Sequence, residues 1–410
     1  MRRTSLALAA LILATPATGA AKRPEAKSFA IELTQGPVVG SVRVVGLGGA
    51  YVAVAEGTDG VLYNPAALAN RYRYSRDYWD WDFSFDFLNL VGEDANTDFF
   101  NDGLSRREAE KTSFSKFTAL ILGLSFIIDD LGVGVIARGQ QFEVGESATE
   151  NPVRMSATEF KIGLATSLFD EELIIGATAR GASLQMEDLA DPAGEPVAVF
   201  SGGTVELGLL WKPAHLPLRV GVVGRGPVRS DRDATSGKEE DVERLLLDID
   251  LPRPARMLVP SELSFGLAWA FGPLGPVFNE GRLIQTERAW GRWLLATSDL
   301  VITPAVEDPD GLRVIGLSAW VQRADLEPVS GATVSPRGGV EANVCPRRIR
   351  ARAGTYWEPA RYEGVDGRIH GTAGFDLRLF ELFESMWRLS TVIDAADGYT
   401  NWALSLGFWH

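Results

Sequence analysis

Hydrophobic and polar residues alternate with a period of two along most of the chain. The clearest stretch is Tyr78 to Leu88, YWDWDFSFDFL. Trp79, Trp81, Phe83, Phe85 and Phe87 fall on one face, and Asp80, Asp82, Ser84 and Asp86 on the other. That is the side-chain period of a β-strand with one apolar and one polar face. Leu263, Phe265, Leu267, Trp269 and Phe271 alternate in the same way with Glu262, Ser264, Gly266 and Ala268. Arg348, Arg350 and Arg352 alternate with Ile349, Ala351 and Ala353. Further on, Arg368, His370, Thr372, Asp376 and Arg378 alternate with Ile369, Ala373, Phe375, Leu377 and Leu379. The last segment, WALSLGFWH, sets Trp402, Leu404, Leu406 and Phe408 on one face.

The intervening segments read as a meander. Phe117–Ile128 and Leu131–Val144 flank a tight turn at Asp129-Asp130, and Met155–Phe169 and Leu173–Met186 flank another at Asp170-Glu171. Gly203–Lys212 and Leu218–Val228 flank Pro213 to Pro217, and Met257–Phe271 is expected as one strand. Then come Trp290–Thr303, one or both of Val314–Val321 and Val334–Val344, Arg347–Trp357, Arg368–Phe380, Trp387–Asp394 and Trp402–Trp409. Residues 89–115 and 229–256 are charged and read as long exposed loops. The count is about 13 to 15 strands, and the even number of single-chain bacterial barrels favours about 14. Short and long connections alternate, as they do when two rims face different compartments. A soluble sandwich would bury the apolar faces under a second sheet. A closed barrel turns them to lipid and leaves no free edge, which explains many strands without covering helices. The expected fold class is therefore all-β, a transmembrane antiparallel barrel of about 14 strands. In it Asp80, Asp82, Asp86, Arg348, Arg350 and Arg352 would face the lumen, as charges paired with one another or as a polar path for a ligand.

The N-terminus departs from this pattern. Arg2 and Arg3, the apolar run Leu6 to Leu13 and small residues to Ala21 follow the order of a secretory signal peptide. The run is well short of the ~20 residues of a membrane-spanning helix. Residues 22–45 read as polar and then extended. Gly46 to Ala69, GLGGAYVAVAEGTDGVLYNPAALA, is glycine-rich, then small and apolar, and ends in a turn at Asn64-Pro65-Ala66. Proline holds the residue before it extended. A segment of such small side chains suits packing inside another structure. The expected organisation is a signal peptide at 1–21, a plug or hatch at 22–77 and the barrel at 78–410. VRVVGLGGAYVAVAEG also resembles the strand, glycine turn and helix of a dinucleotide site, but no second strand-helix unit follows at the required distance.

The same residues resemble a known family. Outer-membrane barrels of the FadL/TodX type begin with R-x-x-G-x-G-G-A-x-x-A, then an acidic-glycine linker and N-P-A. Here these are Arg43, Gly46, Gly48, Gly49, Ala50 and Ala53, then Asn64, Pro65 and Ala66. PSELSFGLAW at 260–269 and an R-A-G-x-x-x-E-P turn (Arg352, Ala353, Gly354, Glu358 and Pro359) extend the resemblance. It implies a bacterial outer-membrane channel for passive uptake of a hydrophobic molecule, such as a long-chain fatty acid or an aromatic hydrocarbon. Gly48, Gly49, Asn64, Pro65 and Ala66 would then act as a movable plug, the glycines permitting rearrangement and Asn-Pro fixing a turn. PorV-like relatives share the N-terminal motif and imply instead a scaffold or shuttle for secreted proteins. A soluble secreted β-protein is the third reading. The terminal strand, with Phe408 and Trp409 before His410, resembles the signal read by the outer-membrane insertion machinery.

Composition narrows the partners. The formal charge of −14 argues against nucleic acid. Partners are expected to be outer-membrane lipid, a hydrophobic ligand and the insertion machinery, or secreted proteins under the scaffold reading. Cys345 is the one cysteine, so no internal disulfide forms. His215, His370 and His410 lie far apart, without metal-ligand spacing, and there is no G-x-S-x-G elbow. Asp80, Asp82 and Asp86 alternate with bulky aromatics on a strand, which does not suit an oxygen cage for calcium. No catalytic residue, metal or cofactor is expected.

Overall fold

The computed structural model describes residues 29–33, 36–71, 78–90, 98–103, 117–144, 153–188, 198–230, 254–279, 291–321, 328–382 and 385–408. The expected signal peptide lies outside them. The strands are β1 (Phe29–Glu32), β2 (Trp79–Leu90), β3 (Thr118–Ile128), β4 (Leu131–Val144), β5 (Val153–Leu168), β6 (Leu173–Asp188), β7 (Ala198–Trp211), β8 (Leu218–Arg225) and β9 (Val228–Arg229). They continue as β10 (Arg256–Val259), β11 (Glu262–Phe271), β12 (Leu294–Thr303), β13 (Arg313–Gly316), β14 (Thr333–Cys345), β15 (Ile349–Glu358), β16 (Arg368–Leu382), β17 (Ser385–Ala396) and β18 (Tyr399–Phe408).

Fourteen of these strands close into one antiparallel barrel, β2 to β8, β11, β12 and β14 to β18, with β18 paired to β2. Closure pairs the backbone polar groups of every strand and leaves no edge, the condition for strands to cross a bilayer. Alternation fixes the two faces. Leu263, Phe265, Leu267, Trp269 and Phe271 are exposed on the outer surface, while Ser264, Gly266, Ala268 and Ala270 are buried inside. The outer face is apolar around the barrel, from Ile162 and Leu164 on β5 to Phe375 and Leu377 on β16. Tyr78, Trp79, Trp211 and Phe271 stand exposed along the rim that carries most of the short turns, where aromatics suit a membrane interface. At that rim the connections 129–130, 169–172, 212–217, 346–348 and 383–384 are short, and only 272–293 is long. The opposite rim has the long connections, with 397–398 as its short exception.

Four strands lie outside the barrel. β1, β9, β10 and β13 form a small sheet at the long-loop rim, in the order β13-β1-β10-β9, with β1 parallel to both neighbours. Phe29, Ile31, Met257 and Val259 of this sheet share an apolar cluster with Phe142, Met155, Leu184 and Phe200 from β4 to β7. This corrects three readings of the sequence. Met257–Phe271 is two strands, split at Pro260, with the first in the small sheet. Of the two segments left open, 333–345 is the barrel strand, whereas Arg313–Gly316 joins the small sheet and runs into a short helix, Leu317–Val321. Residues 89–115 are not wholly an exposed loop, since Phe99, Asn101 and Asp102 are buried.

Between β1 and β2 the chain passes through the barrel bore. Residues 22–45 are not simply extended, because Val42–Gly46 forms a helix, α1. A second helix, α2 (Gly57–Val61), and a 3-10 turn, Pro65–Ala69, follow. Every residue from Pro37 to Arg71 is buried. α1 packs on β15 to β18, α2 on β2 to β4, and the 3-10 turn on β3 to β7.

Candidate functional site

The luminal segment is held to the wall by charged and polar groups from many strands. Arg43 donates to Glu341 on β14 at 2.9 Å through both Nε and Nη2, and to Glu56 at 3.0 Å. Glu341 also accepts from Arg352 on β15 at 2.5 Å, and Arg352 grips both oxygens of Asp376 on β16. Arg388 on β17 donates to Asp59 at 2.9 Å, and Arg219 on β8 donates to Glu56 at 2.8 Å and to the Val54 carbonyl at 3.1 Å. All of these side chains are buried. A buried charge is tolerable only when paired and fully hydrogen-bonded, so the wall and the segment fix one another.

The Asn64-Pro65-Ala66 turn is built by local chemistry. The Asn64 side chain accepts from the Ala66 N–H at 3.0 Å and donates to the Val52 carbonyl at 2.8 Å, tying two parts of the segment together. It also reaches the Leu209 carbonyl on β7 at 3.2 Å. Gly176 and Gly208 leave the wall without side chains where Asn64 and Pro65 press on it. Gly48, with φ of +63°, sits so close to Thr355 and Gly338 that an added Cβ would meet their backbone at 2.7 to 2.8 Å. Gly49 also has positive φ, +75°.

The remaining sequence-derived lumen residues divide. Asp82 accepts from the Thr58 N–H at 2.7 Å and Asp86 from the Val42 N–H at 2.9 Å, so both hold the segment. Arg352 belongs to the charge network above. Arg350 is buried, with its guanidinium 5.6 Å from the centre of the Trp293 ring. Asp80 is half-buried near the short-turn rim and accepts from the Trp81 N–H. Arg348 is exposed in the turn before β15, outside the lumen. His370 is buried between Asp394 at 2.9 Å and Glu358 at 2.6 Å, and Tyr356 stacks on its ring. The Tyr356 hydroxyl donates to Asp394 at 2.7 Å and accepts from the Val38 N–H at 3.1 Å, linking this cluster to the segment. Cys345 is exposed at the end of β14.

A cavity of about 200 Å³ lies between the luminal segment and the small sheet. Val38, Val39, Leu62 and Tyr63 line it from the segment, and Leu33 and Val259 from the small sheet and its flank. Its sides carry Arg138, Glu159, Lys161, Arg180, Arg225 and Arg337. Sequence reading missed these six. The signal was present in part: Glu159 and Lys161 alternate with Phe160 and Ile162 as inward and outward residues.

This architecture defines the class: a closed 14-stranded membrane β-barrel whose bore is occupied by its own N-terminal residues. The chain is similar in fold to the CymD monoaromatic hydrocarbon channel, at 13% identity and a TM-score of 0.50, over 90% of this chain and 96% of that one. It also aligns with a Pseudomonas aeruginosa FadL homologue (10% identity, TM-score 0.49, 92% and 99% covered). A third match is the Pseudomonas putida toluene transporter TodX (12% identity, TM-score 0.45, 93% and 99% covered). The resemblance read from residues 43–66 thus holds at the level of fold. No protein-family model matches the sequence, and no curated protein matches it.

Proposed function

We propose that this protein is an outer-membrane channel for passive uptake of small hydrophobic molecules, with residues 36–71 as a plug that must shift for passage. The observation that carries this reading is the occupied bore, with a cavity lying directly on the occupying segment. The apolar outer face supports a place in the membrane, and the fold likeness to a hydrocarbon channel supports the cargo class. The luminal charges act by holding the segment, not by turning over a substrate. Insertion of the barrel would proceed through the terminal strand and the outer-membrane insertion machinery. The scaffold reading would place its contacts largely in 91–97, 104–116 and 231–253, which lie outside the described residues.

A reversible lock tests the plug. The Thr58 Oγ1 and Ser125 Oγ atoms are 2.9 Å apart, one on the segment and one on β3, so a T58C/S125C pair in a C345S background is placed for a disulfide. The oxidised barrel is expected to pass toluene into lipid vesicles at about one-tenth or less of its reduced rate, a barrier higher by about 1.4 kcal/mol or more. Equal uptake by the two forms, with the disulfide verified by mass, would refute the plug.

A further inference from the structure

The cavity does not have the lining expected for a neutral hydrocarbon. Six cations face it, Arg138, Arg180, Arg225, Arg337, Arg361 and Lys161. They share four carboxylates. Glu159 pairs with Arg138, with Arg180 at 2.9 Å and with Lys161 at 3.4 Å. Glu206 pairs with Lys161 at 2.9 Å, Arg225 at 3.3 Å and Arg180 at 3.7 Å. Glu262 pairs with Arg225, and Glu32 with Arg361. Among the described residues no carboxylate lies within 4 Å of Arg337, whose hydrogen bond is to the Ser335 hydroxyl at 3.4 Å. Asp299, on β12, is already held, its Oδ2 accepting from the Tyr51 and Val52 N–H groups at 2.7 and 2.9 Å. Of the six cations, Arg337 is the one with no carboxylate within 4 Å among the described residues.

We propose that this cavity binds a single-ring aromatic monocarboxylate, with Arg337 receiving the carboxylate and Val38, Val39, Leu62 and Val259 taking the ring. Three quantities select that class. One cation, Arg337, has no carboxylate in contact among the described residues. A planar guanidinium matches a carboxylate with two parallel hydrogen bonds. The volume of about 200 Å³ exceeds the roughly 150 Å³ that holds benzene by enough for one further group. A neutral ring would desolvate Arg337 and give it no partner. A long alkyl chain exceeds the volume, and inorganic phosphate has no apolar body to fill it. The inference deepens the channel reading and rests on it for placing this site on the transport path.

The test is calorimetric titration of the full chain in detergent with benzoate, toluene and inorganic phosphate, alongside vesicle uptake of toluene and benzoate. Benzoate is expected to bind about tenfold or more tighter than either other probe. R337Q should weaken it by about tenfold or more, the size expected for losing a hydrogen bond to a charged group. R337K should fall between the two. Retention of the gel-mobility shift on heating shows that each variant is folded. Benzoate binding no tighter than toluene or phosphate, or unchanged in folded R337Q, would overturn the proposal. If toluene crosses while benzoate does not bind, the site fails and the channel stands. If benzoate binds through Arg337 and neither probe crosses, the site stands and the channel reading fails.

Discussion

Beside α1, arginines and carboxylates of β14 to β17 interlock with the segment. Arg43 lies between Glu341 and Glu56, Arg352 between Glu341 and Asp376, and Arg388 between Asp59 and Asp376. Around the cavity, lined from β4, β5, β6, β8, β11, β12 and β14, the same residue types surround about 200 Å³ of space, with Arg337 in contact with no carboxylate among the described residues. The chemistry is shared, but the bookkeeping differs. Where every charge has its partner inside the protein, the pairs hold the segment in place. Where Arg337 is half-buried with no carboxylate of the described residues in contact, a cation is left for the proposed ligand.

That contrast can be broken by mutation. The largest effect is expected for Glu341→Gln, which strips both Arg43 and Arg352 of their shared partner. Loss of one member of a buried pair costs about 3–5 kcal/mol, measured as urea unfolding of the vesicle-inserted barrel by gel mobility. Glu262→Gln, at the cavity, should cost under about 1 kcal/mol, because the Glu262 side chain keeps 27% of its exposure. Similar losses for the two would erase the distinction. Next is Gly176→Val, which drives a side chain into the Pro65 backbone. Overpacking of this kind costs about 1–3 kcal/mol, and the loosened segment should raise the rate of toluene uptake. An unchanged melting profile would mean that the segment yields freely there.

The smallest effect is a pH dependence at the short-turn rim. Lys212 is buried in the turn after β7, within 3.2 Å of Glu171 and 3.3 Å of the Asn70 side chain. Burial pushes its pKa down to about 8, against the attraction of Glu171. The folded state therefore binds fewer protons than the unfolded chain between about pH 8 and the usual 10.5. Stability should rise across that window as pH rises, by on the order of 1 kcal/mol. Lys212→Met should flatten the rise. A slope that survives the substitution would assign it to another group.

How far the sequence reveals this molecule depends on what signal each element leaves. Trp79–Leu90 was plain because its two faces meet lipid and lumen, so polarity alternates strictly. Arg256–Val259 was hidden inside a longer expected strand because all four residues are buried, which removes the alternation. α1 spans five residues, too few for a helical period to show. Arg348 shares the parity of Arg350 and Arg352, but the turn before β15 starts the strand one residue later. The partners of His370 come from β15 and β17, a cross-strand relation that no linear spacing records. Arg337 sits among Pro336, Gly338 and Gly339, which blur the apolar and polar faces of β14.

The path of the segment also has a consequence for assembly. It begins at β1, pinned at one rim between β10 and β13, and leaves at the other rim, where Arg71 donates to the carbonyls of Tyr78 and Asp129. One tether is the covalent run into β2, and the other is the strand pairing of β1 with β10 and β13. The seam that joins the first and last barrel strands, β18 on β2, is also where Asp86 holds Val42. Folding the segment in before that seam forms avoids threading it through a closed ring, since its contacts with the seam would then form together with it.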